Sequence, residues 1–272
     1  MSKVAIVAAL EREVSGLIGK CSRVSREHQG RSFVFFECDD MVVVCGGIGV
    51  EAARRAAEAA IAIYCPGLLL SVGFAGALES GLRVGDVVTP AIVIDARDGS
   101  RTELHGRNGP TTLVTFMDVA GREQKASLSQ AYAAQLVDME AAGVAAAARA
   151  HGIDFSATKV ISDDSSFEMA EWGRFIGSDG AFKTTSFALF VALRPWFWGR
   201  AIRLAVNSRK AANALSPYLQ HVCDDLRCDD LRCDHLADDN LRVTAGLNAP
   251  SSQMPGKVLH SASPSARTGG RE

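Results

Sequence analysis

A strand–helix–strand pattern near the middle of the chain constrains the fold more than any other feature. Residues 135–137 are typical of a short strand, and residues 139–151 of an alanine-rich helix that Gly152 ends. Residues 157–161 predict the next buried strand. In an open α/β sheet, ligands bind beyond the carboxyl ends of the strands. Glu140 and Asp163 both follow such ends, so we expect them to face one pocket.

Short apolar strands alternate with helices through most of the chain. Strands are predicted at residues 4–9, 33–37, 41–45, 68–72, 87–94, 113–116, 135–137 and 157–161. Helices are predicted at residues 51–64, 124–133, 139–151 and about 199–219. This order predicts an α/β fold, a three-layer helix–sheet–helix sandwich. We expect the strands at 33–37 and 41–45 to form a hairpin. The central sheet is therefore predicted to be mixed, although mostly parallel.

Composition narrows the class of protein. The 272 residues, 47% of them hydrophobic, suffice for the core of one large domain. A net charge of -2 gives no electrostatic reason to expect nucleic acid or an anionic membrane as a partner. The first residues lack the features of a signal peptide, and no run approaches the ~18 apolar residues of a membrane span. The seven cysteines are expected to be reduced thiols of a cytoplasmic protein.

Five segments, in order along the chain, resemble the purine nucleosidase and nucleoside phosphorylase family. They are VAIVAALEREV at 4–14, CGGIGVEAA at 45–53, SVGFAGALESGLRVGDVV at 71–88, VDMEAAGV at 137–144 and VISD at 160–163. The resemblance is closest to the methylthioadenosine/S-adenosylhomocysteine nucleosidases. It implies a nucleoside phosphorylase-like fold and hydrolysis of the N-glycosidic bond of such a nucleoside, with release of adenine. It further implies a cytoplasmic homodimer acting in methionine salvage, with neither a metal nor an organic cofactor.

The same resemblance suggests how the purine and the ribose are held. It makes Asp163 the acid that assists the leaving purine at N7, with Ser162 beside it in the substrate site. The alternative for Asp163 is a helix cap within the polar stretch 162–166. Glu140 is expected to accept hydrogen bonds from the ribose hydroxyls, and Met139 to pack beneath the sugar. Glu140 can instead be explained as an acid favoured near a helix N-terminus.

The nucleophile is predicted to be water. In the nucleosidase branch an acid in the first loop activates that water, and Glu13 matches its position. The alternative is a solvated acid on a helix. Phosphorylases carry a glycine-and-arginine phosphate loop that residues 8–16 lack, and a hydroxyl residue where this chain has Phe74. The nucleosidases have serine there, so Phe74 departs from both branches. Phe74, Ala75 and Gly76 are predicted to line the substrate site.

Other interpretations stay open. Residues 47–52 fit a dinucleotide-binding G-x-G-x-x-A turn, but residues 68–73 lack the acid that such a site needs at the next strand end. We therefore expect a tight turn beside the pocket. A phosphate-dependent phosphorylase is the first rival function, and a catalytically silent nucleoside-binding protein is the second. The adenine-binding residues, expected within 117–126, are not assigned.

The C-terminal part departs from the nucleosidases. Residues 178–210 resemble nucleosidase-like proteins of hopanoid lipid biosynthesis, which implies an adenosyl lipid as an alternative substrate. Tryptophans beside an arginine-rich helix are also typical of a membrane interface, but we favour core helices broken at Pro195 and no stable membrane insertion. The catalytic domain is predicted to end near residue 220. Residues 221–272 are a low-complexity tail, expected to be disordered, with a five-residue repeat that fits neither a β-helix nor a zinc site well.

Overall fold

The computed structural model describes residues 4–104, 111–168, 170–177 and 180–245. Its strands are β1 (Val4–Ala8), β2 (Ser22–His28), β3 (Arg31–Glu37), β4 (Met41–Cys45), β5 (Leu68–Ala77), β6 (Val87–Val88), β7 (Ile92–Asp95), β8 (Arg101–Glu103), β9 (Thr112–Thr115), β10 (Leu136–Asp138) and β11 (Asp154–Asp163). Its helices are α1 (Ser15–Ile18), α2 (Val50–Tyr64), α3 (Arg122–Tyr132), α4 (Ala141–His151), α5 (Thr184–Ala192) and α6 (Trp198–Ala245). Short 3₁₀ helices occupy Glu11–Glu13, Ala170–Phe175 and Pro195–Phe197.

All of these strands belong to one mixed sheet. The order along its main path is β2-β3-β4-β1-β5-β10-β9-β7-β8, and β11 pairs with β5 and with β6. Parallel pairing joins β4, β1, β5 and β11 at the centre, while β2, β3 and β4 form an antiparallel meander. Strand β10 runs antiparallel to β5. The expected α/β fold with a mixed sheet is therefore confirmed, including the hairpin between β3 and β4.

Helices cover both faces of the sheet. On one face α2 and α4 bury alanines such as Ala56 and Ala147 against Val44 and Leu69. The small alanine side chains let the two helices pack closely on the strands. On the other face α1 and α6 contact the sheet through Leu17, Leu215 and neighbouring apolar residues. The result is the predicted helix–sheet–helix sandwich.

The differences from the predicted elements have local causes. Strands β2 and β8 were not predicted, because their residues are mostly polar and exposed and give no apolar alternation. The predicted strand at 87–94 is two strands, since Pro90 lies between β6 and β7 and proline cannot donate a ladder hydrogen bond. Helix α5 lies before Pro195, where a core helix was expected, but none of its residues is buried, so the expectation of a core helix is wrong there.

The chain divides into two compact units, Met1–Cys228 and Asp229–Glu272. The backbone of residues 221–245 is helical as part of α6, so the five-residue repeat is not a β-helix. Residues 246–272 lie outside the described residues, and the domain boundary near residue 220 stays a prediction. Within the described ranges, no helix is long and apolar enough to cross a membrane.

One cysteine prediction is wrong. Cys21 and Cys38 form a disulfide, with their Cα atoms 4.7 Å apart, whereas Cys45 and Cys65 are free. The two paired cysteines lie just after α1 and just after β3, and the β2–β3 hairpin brings these two positions together. Sequence spacing alone could not reveal that proximity, because it arises from strand pairing.

Candidate active site

A pocket of about 760 Å³ opens at the carboxyl ends of β1, β10 and β11 and along residues 74–76 of β5. Each of these strands contributes to its wall, as expected for an open α/β sheet. All of the predicted site residues line this pocket: Glu13, Phe74, Ala75, Gly76, Met139, Glu140, Ser162 and Asp163. The structure thus brings together side chains that lie up to 150 positions apart in the sequence.

Glu13 enters the pocket from the 3₁₀ helix that follows β1, and it is 5% exposed. Its Oε2 accepts hydrogen bonds from the backbone N–H groups of Ala9 and Leu10, at 3.2 and 3.3 Å. Burial raises the pKa of this carboxyl, and the charge of Lys159 opposes that effect. Gly73 makes room for it, because a Cβ there would lie 2.9 Å from Oε2. The alternative of a solvated acid is therefore excluded for Glu13.

Glu140 lies between β10 and α4, next to Met139. Its Oε1 accepts a hydrogen bond from the N–H of Gly49 at 3.0 Å, and its Oε2 accepts one from the N–H of Met139 at 3.2 Å. Gly49 has a φ of 106°, a conformation that favours glycine. The glycine-rich turn after β4 thus lies beside the pocket, where a tight turn was expected, and it also holds a pocket carboxylate. Burial, reinforced by the nearby charge of Asp138, raises the pKa of Glu140 to about 8.

Asp163 ends β11 and is 5% exposed. The hydroxyl of Ser162 donates a hydrogen bond to its Oδ1 at 2.6 Å, and the ammonium of Lys125 forms an ion pair with its Oδ2. Lys125 also donates to the carbonyl of Asp164 at 2.7 Å. The register of β11 against β5 shifts between Ile161 and Asp163, and such an irregularity re-aims the side chains that follow it.

A buried charge network lies beneath these carboxylates. The ammonium of Lys159 is 2.8 Å from Asp138 Oδ2, and both side chains are 0% exposed. Lys159 also donates a hydrogen bond to the hydroxyl of Ser71 at 3.1 Å. Asp138 accepts two more bonds, from the hydroxyl of Thr115 at 2.7 Å and from the N–H of Ala141 at 2.9 Å. Burial alone would lower the pKa of Lys159, but Asp138 and Glu140 raise it above its ordinary value.

The comparison with protein families fits this geometry. Residues 3–120, which include β1, the Glu13 loop and β5, match the family described as the phosphorylase superfamily. This stretch of the chain is thus similar to the phosphorylase superfamily.

Individual proteins that are similar to this chain agree. The 5'-methylthioadenosine/S-adenosylhomocysteine nucleosidase of Actinobacillus succinogenes is 28% identical over 197 residues, 59% of this chain and 85% of the relative. The nucleosidase of the same name from Colwellia psychrerythraea is 35% identical over 94 residues, 34% of this chain and 39% of the relative.

Solved structures show the same fold. A methylthioadenosine/S-adenosylhomocysteine nucleosidase from Colwellia psychrerythraea, in complex with adenine, has a TM-score of 0.53 at 24% identity, covering 60% of this chain and 83% of its own. Futalosine hydrolase of Helicobacter pylori has a TM-score of 0.62 at 16% identity, covering 82% of this chain and 98% of its own.

Two buried lysines at the pocket were not predicted from the sequence. Lys125 lies on α3, within the segment whose role was left unassigned, and it lines the pocket with Asp118, Val119 and Ala120. Its partner Asp163 is 38 positions away, so no local pattern marks it. Lys159 did leave a signal: it is a charged residue inside the strand predicted at residues 157–161. A lysine there needs a buried counter-charge, which Asp138 supplies.

The segment after Asp163 closes the pocket with an apolar wall. Trp172, Ile176, Phe182 and Phe187 line it, together with Leu204 of α6. Arg12 and Arg209 also reach the pocket wall. Among the residues that the structure describes, no three His, Cys, Asp or Glu side chains are grouped so as to hold a metal ion. The pocket thus combines an acidic floor, a lysine–aspartate pair and a hydrophobic side.

Proposed function

We propose that this protein hydrolyses the N-glycosidic bond of a purine nucleoside of the 5'-methylthioadenosine/S-adenosylhomocysteine type, releasing adenine. The observation that carries the proposal is the convergence of Glu13, Glu140 and Asp163, from three separate strand ends, on one pocket. The nucleosidases among its relatives support the same reaction.

Hydrolysis of this bond needs a base for water, a stabilised sugar cation and a neutral leaving purine. In the proposed mechanism Glu13 takes the proton of the attacking water while the oxygen bonds to C1'. Burial raises its pKa, and a carboxylate with a raised pKa is a stronger base. Glu140 accepts hydrogen bonds from the ribose, and its ionised form stabilises the positive charge that develops on the sugar. Met139, beside it in the pocket wall, packs beneath the sugar.

The purine leaves with the bonding electrons of the broken C1'–N9 bond and takes a proton at N7. We assign that step to Asp163, assisted by Ser162. The Lys125 ammonium, paired with the same carboxylate, supplies the proton that Asp163 passes to N7, and the proton that Glu13 takes from water balances the one that Lys125 loses. Ala75 and Gly76 give the purine access to Asp163; a Cβ at Gly76 would lie 2.9 Å from Asp163 Oδ2.

The test is to incubate the protein with methylthioadenosine, with and without phosphate, and to identify both products. Free adenine with free methylthioribose in both conditions supports the proposal. Glu13→Gln should then lower kcat by roughly 10²- to 10⁴-fold, the usual contribution of a general base. Glu11→Gln is the matched control, since Glu11 is exposed on the same 3₁₀ helix. Equal losses in both variants would contradict the role of Glu13.

A phosphate-dependent phosphorylase is the second candidate, because Arg12 and Arg209 line the pocket and arginine binds phosphate well. A phosphorylase would release adenine only in the presence of phosphate, and its other product would be a sugar 1-phosphate.

The apolar wall favours one further kind of substrate: a nucleoside with a large hydrophobic 5' group, such as an adenosyl lipid of hopanoid biosynthesis. Stabilisation by adenosine analogues without cleavage would instead identify a silent binder.

We infer further that the protein acts as a cytoplasmic homodimer in methionine salvage. Its relationship to the nucleosidases supports this context. Cell fractionation, with the nucleosidase activity measured in each fraction, tests the location. The mass measured by light scattering tests the dimer.

A further inference from the structure

An exposed apolar surface is concentrated on one short stretch of the chain. Of the seven large hydrophobic side chains that are exposed in the described residues, six lie within 18 consecutive positions. We call them the apolar patch: Leu189, Leu193, Trp196, Trp198, Ile202 and Val206, each 50–73% exposed. Soluble proteins scatter such residues singly, whereas a cluster indicates an interaction surface.

The patch follows the geometry of its helices. Leu189 lies on α5 and Leu193 follows its last residue, four positions on, so both lie along one side of that helix. Trp198, Ile202 and Val206 repeat the same spacing on α6. Trp196, at 73% exposure, lies in the 3₁₀ helix between them. Two helical stripes and their connection thus present apolar side chains outward.

The segment that carries the patch has only positive charges. Residues 181–221 contain six Lys or Arg residues and no Asp or Glu, in a chain whose net charge is -2. Arg203 is partly engaged by Asp164, at 2.9 Å. Arg200 and Lys210 are exposed on α6. Tryptophan and aliphatic side chains flanked by basic residues are the composition of helices that lie in the headgroup region of anionic membranes.

A second copy of this chain fits the patch less well. Most homodimers are two-fold symmetric, so each copy would offer the same surface to the other. The basic residues of one copy would then face those of its partner, with no acid between residues 181 and 221 to neutralise them. An anionic bilayer instead supplies both the negative charge and the apolar depth.

We propose that the apolar patch and its basic residues dock this protein reversibly on the surface of anionic lipid bilayers. The docking is peripheral and goes beyond the proposed reaction. Phe187 of α5 and Leu204 of α6 line the pocket, so the helices that carry the patch also form one pocket wall. Docking would therefore hold the pocket close to the lipid surface.

The experiment is flotation of the full-length protein with vesicles of phosphatidylcholine alone or mixed with phosphatidylglycerol. We expect the protein to float with the mixed vesicles at low salt, and to be released as the salt concentration rises. Arg200→Gln with Lys210→Gln should weaken this binding roughly 20- to 30-fold, since each basic residue near the surface contributes about fivefold. Ile202→Ser and Trp196→Ser should each weaken it roughly tenfold.

Matched controls separate docking from general adsorption. Met117→Ser removes the one other large apolar side chain that is exposed in the described residues, and Lys20→Gln removes an exposed cation far along the chain from the patch. Both should bind vesicles like the parent protein, and melting curves confirm that every variant is folded. Three results would overturn the proposal: no flotation with anionic vesicles at low salt, equal losses in the controls, or a dimer in solution that the patch variants dissociate.

Discussion

Lys159 offers the sharpest test of the electrostatics beneath the site. Lys159→Met keeps most of the side-chain volume but removes the ammonium, which leaves the Asp138 carboxylate buried without its counter-charge. Two of the three bonds to Asp138 would remain, from Thr115 at 2.7 Å and from the N–H of Ala141 at 2.9 Å. Neutral donors compensate only part of a buried charge.

The size of the effect follows from the burial of both partners. Removing one member of a buried ion pair costs about 3–5 kcal/mol, because the remaining charge is stranded. Both Lys159 and Asp138 have 0% exposed side chains, so solvent cannot relieve that cost. For a domain of this size the melting temperature should fall by roughly 10 °C.

The assay is urea unfolding at neutral pH of the parent, Lys159→Met and Lys159→Met/Asp138→Asn. The double variant should recover much of the lost stability, because its asparagine is neutral and can still accept bonds from Thr115 or Ala141. A single variant that loses less than about 1 kcal/mol, or a double variant that is less stable than the single one, would refute the argument.

Three further predictions concern pH, space and the disulfide. The pKa of Glu140 is about 8, against an ordinary value of 4.5, so its ionised form dominates only above about pH 8. The measured kcat/KM should therefore rise with pH through that value. Folding stability should fall between pH 4.5 and 8, because the unfolded state loses this proton at a lower pH than the folded state does. Gly76→Ala should lower kcat roughly 10- to 100-fold by displacing Asp163, while Gly81→Ala, with nothing within 4 Å, should not. In the Cys21→Ala/Cys38→Ala variant the free energy of unfolding, measured in urea, should fall by about 3 kcal/mol, because the disulfide closes a loop of 17 positions. A reductant should lower the free energy of unfolding of the parent protein by the same amount.

Most of the site was predictable because it follows from strand ends. Glu13 follows β1 by five positions, Glu140 follows β10 by two, and Asp163 ends β11. The ends of the parallel strands β1 and β11 meet at one edge of the sheet, whereas β10 runs antiparallel to β5 and brings Glu140 to the same pocket from the other direction. The strands themselves were found wherever both faces are buried, as in β1, β4 and β5. Polar edge strands such as β2 carry no comparable signal, since one face of each is solvated.

What the sequence could not reveal is the pairing of charges inside the sheet. Lys159 and Asp138 are 21 positions apart on strands β11 and β10, which are not neighbours in the sheet, because β5 pairs with both. Their contact therefore depends on the pairing of β5 with two strands that run in opposite directions, β11 parallel to it and β10 antiparallel. The Lys125–Asp163 pair depends in addition on the register shift in β11. Both lysines neutralise acids at the floor of the pocket, so a chain that gathers several carboxylates at one sheet edge has to bury cations beside them. The search for lysines or arginines inside predicted strands is thus a rational complement to the search for acids at strand ends.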